Sequence, residues 1–194
     1  MTLLNRDTLM TLERYAKERP QFRARVMEHK KNRTVHLGEH IMLIFEDELT
    51  IRYQIQEMLR AERIFEEEGI QEEVDAYAPL IPDGSNWKAT MMIQYPDIDE
   101  RRRMLGQLIG IEDRVWVQVA GHNRVYAIAD EDLERETAEK TSSVHFLRFE
   151  LDSSMLKALK QGASLEMGID HPACSVSIDV APAVRDSLAG DLKG

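Results

Sequence analysis

The chain has 194 residues, 43% of them hydrophobic and 31% charged, and a formal net charge of −10. These values are typical of one globular domain with a substantial core. No run of about 18 apolar residues and no signal-peptide pattern is present, so the sequence predicts a cytoplasmic protein and excludes a membrane protein. Cys174 is the only cysteine, which excludes an internal disulfide, a zinc ribbon and a cysteine-ligated cluster within one chain.

The charge is unevenly distributed along the chain. Residues 46–75 are strongly acidic, whereas residues 19–33 are basic. We expect these two blocks to face each other or to face a second copy of the chain in a homodimer. Nucleic acid is not an expected partner, because the whole chain is acidic and carries no motif that reads a groove.

The N-terminal region is expected to be helical. Leu9, Leu12 and Ala16 recur at helical spacing and predict a first helix, which Pro20 should end because proline lacks the backbone N–H. A second helix should follow to about residue 32. Residues 1–32 would then form a helical pair that packs on the rest of the domain.

A central helix is predicted after a hairpin formed by residues 33–37 and 40–45. Within residues 45–77, apolar side chains cover more than half of the helix circumference, which indicates a long and largely buried helix. Thr50 is the expected N-cap and Gly69 the residue that ends the helix.

Three polar residues of this helix, Gln54, Glu57 and Glu62, are expected to point inward, and Glu62 falls in the middle of the apolar arc. A buried carboxylate must be paired, metal-bound or protonated, because burial of a bare charge is costly. Three interpretations follow. The polar groups form hydrogen bonds or ion pairs with neighbouring elements, they form a metal or ligand site on a rigid helix, or this face is exposed and binds a partner.

The second half of the chain mixes strands with helices. Strands are predicted at residues 87–95, 115–119, 125–129, 142–151, 164–169 and 175–179, and helices at residues 71–78, 97–110, 152–161 and 183–192. Residues 130–139 are polar and fit either a helix or a loop. This order, with several hairpins, predicts an α+β fold with an antiparallel or mixed sheet, in a single domain over residues 1–194.

Two histidines are candidates for chemistry. Strand alternation places His145 on the face it shares with Leu147, so its ring should point inward, either as a satisfied core histidine or as a ligand. His171 and Cys174 have a spacing that two metal ligands, or a base and a thiol, could use; the alternative is an inert cysteine. With Glu57 or Glu62, the two histidines would suit iron, manganese or zinc. Gln54 and Asp83 are candidates for polar support.

The sequence lacks the common enzyme motifs. It contains no GxGxxG after a strand, no phosphate-binding GxxxxGK[ST], no GxSxG and no HExxH. Whether the protein is an enzyme therefore remains open.

Four stretches, FEDELTIRYQIQEMLRAER, YAPLIPDGSNWKATMMIQYPD, KTSSVHFLRFEL and GIDHP, resemble a bacterial domain-of-unknown-function family catalogued as family 3501. The resemblance spans almost the whole chain. Members of that family are often encoded beside a rubrerythrin and a CCG-type iron–sulfur oxidoreductase, which implies a link to peroxide handling, oxidative stress, iron or electron transfer. The resemblance supplies no catalytic residue.

Two functional hypotheses follow. In the first, the protein is a non-catalytic accessory that binds a redox partner, such as the rubrerythrin or the oxidoreductase, through its acidic surface. In the second, it is a metal-dependent enzyme or metal-binding factor that holds a divalent ion with Glu57, Glu62, His145 and His171.

Overall fold

Nine strands and six α-helices make up residues 4–193, the part of the chain that this computed structural model describes. The strands are β1 (Thr34–Leu37), β2 (Ile41–Phe45), β3 (Asn86–Ile93), β4 (Val115–Val119), β5 (Val125–Tyr126), β6 (Ile128–Ala129), β7 (Val144–Glu150), β8 (Leu165–His171) and β9 (Cys174–Asp179). The helices are α1 (Leu12–Lys31), α2 (Glu48–Glu62), α3 (Glu67–Tyr77), α4 (Ile98–Gln107), α5 (Ser153–Lys160) and α6 (Pro182–Ala189). The predicted α+β class is confirmed.

The strands form two antiparallel sheets. The first sheet has the order β1-β2-β3-β7-β6, and the second has the order β5-β4-β8-β9. Only Ala127 separates β5 from β6, so the two sheets meet at this edge. At the opposite edge, β1 lies close to β8 and β9. The predicted β4–β5 hairpin is therefore short, because the returning strand leaves β4 after two residue pairs and joins β7 instead.

One core fills the space between the two sheets. Alternate residues of each strand point into it, as the two-residue period of a strand requires: Val117 of β4 lies opposite Met167 of β8, and both are fully buried. Trp87 of β3 is also fully buried, and its indole N–H donates to the carbonyl oxygen of Leu188 at 2.9 Å. This bond attaches α6 to the first sheet.

Helix α2 lies between two other helices. On one side, Tyr53 packs with Tyr15 and Phe22 of α1. On another side, Ile55 belongs to a separate cluster that contains Val74 of α3. None of the helices within residues 4–193 has both the length and the apolar character that crossing a bilayer demands.

The predicted helical pair at the N-terminus is wrong. Helix α1 runs without a break through Pro20 and, at 20 residues, is longer than the 15-residue α2. Pro20 is exposed, and the buried side chains Tyr15, Phe22 and Val26 lie on both sides of it. Burial of this continuous apolar face compensates for the hydrogen bond that proline cannot donate.

The predicted ends of the central helix are also wrong. Asp47, not Thr50, is the N-cap, and it forms a capping box in which its side chain accepts from the Thr50 N–H. The helix ends at Glu62, because the next residue, Arg63, adopts the left-handed conformation with φ 56°. The sequence predicts this conformation at Gly69.

Candidate metal centre

His145, in β7, is the most deeply buried histidine of the described residues, with 0% of its surface exposed. It shares the inner face of the strand with Leu147, as the alternation predicts. Its Nδ1 atom lies 2.6 Å from Oδ2 of Asp130. Since a carboxylate can only accept, Nδ1–H donates to Asp130. The other ring nitrogen, Nε2, lies 3.0 Å from the carbonyl oxygen of Ser142 and 2.9 Å from the Thr141 hydroxyl, and a ligand at Nε2 would replace these contacts.

Asp130 is itself fixed in position. It follows β6 directly and has a positive φ of 48°. Its Oδ1 atom accepts from the backbone N–H of Phe146 at 2.9 Å and from Nη1 of Arg135 at 3.1 Å. The guanidinium of Arg135 also stacks on the Phe146 ring, with its carbon 4.6 Å from the ring centre. These contacts orient the carboxylate that in turn orients His145.

Glu112 approaches the other side of the His145 ring. It lies in the 3₁₀ turn Ile111–Arg114, just before β4, and is 6% exposed. Its Oε2 atom is 3.9 Å from Nε2 of His145 and 3.4 Å from the hydroxyl of Thr141. Burial raises the pKa of Glu112, while its own backbone hydrogen bond and His145 act to lower it.

Glu112, Asp130 and His145 together have the donor set of a metal site. Each offers one ligand atom, and these atoms lie within 4.8 Å of one another. A groove of about 410 Å³ borders the group. Its acidic lining residues are Glu112, Asp113, Asp130, Glu131, Asp132, Glu134 and Glu136. One imidazole with carboxylates suits iron, manganese or zinc better than copper(I), which prefers sulfur ligands.

The same residues resemble a nucleophile–histidine–carboxylate triad. The Thr141 hydroxyl lies 2.9 Å from Nε2 of His145, which bonds to Asp130 through Nδ1. Thr141 is only 1% exposed, however. Its hydroxyl cannot meet a substrate carbonyl, so the arrangement favours ligand binding over acyl transfer.

Glu57, a predicted ligand, lies in an ion pair instead. Its two carboxylate oxygens accept from Nε and Nη2 of Arg19, each at 2.7 Å, and Oε1 also accepts from the Tyr15 hydroxyl at 2.5 Å. The hydrogen bond from Arg19 is the main cause that lowers the Glu57 pKa to about 2, and Tyr15 adds to it. Of the interpretations of the helix, ion pairing therefore applies to Glu57.

The expectation that Glu62 points inward is wrong. Glu62 is the last residue of α2 and is exposed. The predicted arc assumed a helix that continues beyond Phe65, which is 65% exposed after the helix has ended. Gln56, on the same helix, is fully buried. Its Oε1 atom accepts from the N–H of Met10 at 2.7 Å.

His171 is buried but uses both ring nitrogens in backbone contacts. Nε2–H donates to the carbonyl oxygen of Ile109 at 3.0 Å, and Nδ1 accepts from the N–H of Ala173 at 3.1 Å. Cys174 is half-buried, and burial raises the pKa of its thiol. Neither a metal ligand pair nor a reactive thiolate is formed here.

The remaining predicted residues also lie outside the His145 group. Asp83 accepts from the backbone N–H and the hydroxyl of Ser85, both at 2.8 Å, and so stabilises a turn. Gln54 is half-buried on α2. Within residues 4–193, Glu57, Glu62 and His171 do not join the cluster of potential ligands. Only His145 among the predicted ligands belongs to it.

Glu112 and Asp130 are not among the residues that the sequence predicts for a site. Each follows or precedes a strand that was predicted, Asp130 after residues 125–129 and Glu112 before residues 115–119. The sequence feature that could have identified them is a polar residue at the end of a predicted strand. The pairing of the strands is needed to show that Asp130 and Glu112 both lie beside His145.

The fold and this cluster define an α+β protein with a buried carboxylate–histidine group. The chain belongs to the family described as "Protein of unknown function (DUF3501)", whose model matches residues 3–192. This confirms the family resemblance. A crystal structure of a novel protein of unknown function from Burkholderia pseudomallei is similar, with 58% identity and a TM-score of 0.94 over 99% of this chain and 100% of that one. The comparison with curated proteins gives no match.

Proposed function

We propose that this protein is a metal-binding protein that holds a divalent iron, manganese or zinc ion with Glu112 and His145, and that Asp130 orients the histidine. The observation that carries the proposal is the position of three potential ligand atoms within 4.8 Å of one another. They come from three separate segments and meet at a buried position. Exposed acidic residues that bind no ion do not need to converge in this way, whereas the ligands of a metal site have to meet around the ion.

The three residues have different roles in this proposal. Nε2 of His145 and the carboxylate of Glu112 are direct ligands. Asp130 accepts from the opposite ring nitrogen and fixes the orientation of the imidazole, a common arrangement around metal-bound histidine. Because burial raises the pKa of Glu112, ion binding has to displace a proton there at low pH. Affinity should therefore increase with pH until Glu112 is ionised.

The test is the metal content of untagged protein after anaerobic incubation with iron(II), manganese(II) or zinc(II) and removal of free ion. We expect nearly one ion per chain in the wild type and its loss in His145→Gln and Glu112→Gln. Glu134→Gln is the matched control, because Glu134 lines the same groove but is exposed. It should retain the ion.

A helix-based site makes a different prediction. If Glu62→Gln or Glu57→Gln releases the ion and Glu112→Gln does not, the site lies on α2 and not at His145. If the wild type binds none of the three ions, the proposal is wrong. Circular dichroism of each variant separates loss of ligand from loss of fold.

A second candidate function is that of a cytoplasmic accessory protein that binds a redox partner. The observation that favours it is the acidic surface of α3 and the residue before it, where Glu66, Glu68, Glu72 and Asp75 are exposed. Such a surface can steer a basic partner by long-range attraction. The expected partners are a rubrerythrin or an iron–sulfur oxidoreductase, with a homodimer as the alternative use of the surface.

This second candidate is tested by measuring the binding of purified rubrerythrin and oxidoreductase to the wild type and to Glu68→Lys/Glu72→Lys. Binding should weaken in the variant and with rising salt, because salt screens exposed charges. Unchanged binding in the variant would exclude this surface. Sedimentation of the protein alone reports whether it forms a dimer instead.

A further inference from the structure

A second groove, of about 680 Å³, lies at the junction of four chain segments. They are α1, the start of α2, the loop at Ile81 and Pro82, and the C-terminal residues 190–193. The residues that line the groove are Arg25, His29, Asp47, Glu48, Leu49, Arg52, Ile81, Pro82, Gly190, Asp191 and Lys193. None of them belongs to the Glu112–Asp130–His145 cluster. Convergence of distant segments at one groove is typical of small-molecule sites.

Basic and acidic residues both line this groove. In a chain of net charge −10, Arg25, Arg52 and Lys193 line the same groove. The acids beside them already have partners. Oδ2 of Asp47 lies 2.5 Å from Nε2 of His29, and Asp191 accepts from Arg33 at 2.5 Å.

Two of the arginines retain unused donors. Arg25 is exposed and forms no ion pair or hydrogen bond with any residue between 4 and 193. Arg52 pairs with Glu48 through Nη2, but its Nε–H is buried and lacks an acceptor. A buried donor without a partner is unfavourable. Arg25, by contrast, keeps its full set of guanidinium donors for a bound anion.

The walls of the groove are held in place by Arg33, which lies behind them and is 1% exposed. Its Nε–H donates to the carbonyl oxygen of Phe45 at 2.8 Å, while Nη2 donates to Asp191. Nε of Arg33 is also 3.5 Å from Oδ2 of Asp47. The C-terminal segment and the start of α2 are thus joined before any ligand arrives, which reduces the entropic cost of binding.

We propose that this groove binds a small organic anion. Its carboxylate or phosphate group contacts Arg25 and Arg52, since a guanidinium donates two parallel hydrogen bonds to either group. Its apolar part contacts Leu49, Ile81 and Pro82. The volume lies within the usual range for small-molecule sites, about 300–1,000 Å³.

The test uses three probes of similar shape and different charge: phenyl phosphate, benzoate and benzylamine. Each is titrated into the full isotope-labelled chain while backbone amide shifts are recorded. We expect the anions to shift the amides of Arg25, Leu49 and Gly190, and benzylamine to leave them unchanged. The stronger of the two anions identifies the ligand as a phosphate or a carboxylate.

Arg25→Gln and Arg52→Gln should each lower the affinity for the anion about tenfold, which corresponds to ~1.4 kcal/mol of binding free energy. Arg25 is the decisive position, because it has no contact on which the fold depends. Arg103→Gln is the matched control: Arg103 is exposed on α4 and pairs only loosely with Glu100 at 4.0 Å. The proposal is wrong if neither anion shifts these amides, if benzylamine shifts them equally, or if Arg25→Gln binds as tightly as the wild type.

Discussion

The Glu57 carboxylate joins α1 to α2 through Arg19 and Tyr15, and it makes stability depend on pH. Its pKa falls from 4.5 to about 2 in the folded chain, mainly because Arg19 donates to it. A folded-state pKa below the unfolded value stabilises the fold above pH 4.5, and this stability is lost as pH falls from 4.5 towards 2. At neutral pH, Glu57→Gln should cost roughly 1–3 kcal/mol, the value of a charged hydrogen bond.

The measurement is urea unfolding of wild type and Glu57→Gln at several pH values. The stability difference between the two proteins should shrink as pH falls, because protonation of Glu57 removes the same charge as the substitution. Glu62→Gln, an exposed change on the same helix, should change stability little at any pH. A constant difference across the acidic range would contradict the assigned pKa.

At the scale of elements, Pro20 destabilises α1, because it removes one backbone hydrogen bond from the middle of the helix. Proline cannot donate the hydrogen bond of that turn, yet the helix continues over Leu12–Lys31. Pro20 is exposed, so Pro20→Ala restores a donor and loses little packing. We expect the unfolding free energy to rise by about 1 kcal/mol or more.

Thermal and urea unfolding of Pro20→Ala check this prediction. Ala24→Pro is the reciprocal variant, at an exposed position one turn later, and should destabilise the chain strongly. A loss of stability in Pro20→Ala would show that proline stabilises α1, for instance by restricting the unfolded chain.

Strand faces could be predicted from the sequence because side chains alternate with a fixed period of two. This rule is local, and it placed His145 inside correctly. The ends of α2 could not be predicted in the same way. Asp47 and Thr50 are both good N-caps, and the choice between them depends on the path of the chain before the helix. Glu62 is exposed because the helix ends at this residue, well before Gly69.

The candidate site forms through contacts between segments that are far apart in the sequence. Residues 112, 130 and 145 meet only because β6 pairs with β7 and the turn before β4 packs beside them. No local pattern contains that information, so Glu112 and Asp130 were missed while His145 was found. Ion pairs such as Arg19–Glu57 have the same origin, since they join residues 38 positions apart.

At the scale of the whole molecule, Arg33 connects the C-terminal segment with the first sheet and the start of α2. It is buried at the start of the first sheet, and its guanidinium donates to Asp191 at 2.5 Å and to the carbonyl oxygen of Phe45. Burial raises the pKa of Asp191, and Arg33 opposes that rise. The carboxylate therefore depends on Arg33 for its charge.

Arg33→Met should cost roughly 3–5 kcal/mol, because it leaves a buried carboxylate without its partner. Arg33→Met/Asp191→Leu removes both charges, and it should recover part of that loss, since a buried pair costs much of its attraction in desolvation. Urea unfolding of the wild type, both single variants and the double variant gives the coupling between the two residues. Additive single-variant losses would show that Arg33 and Asp191 stabilise the fold independently, and that the ion pair between them contributes nothing to stability.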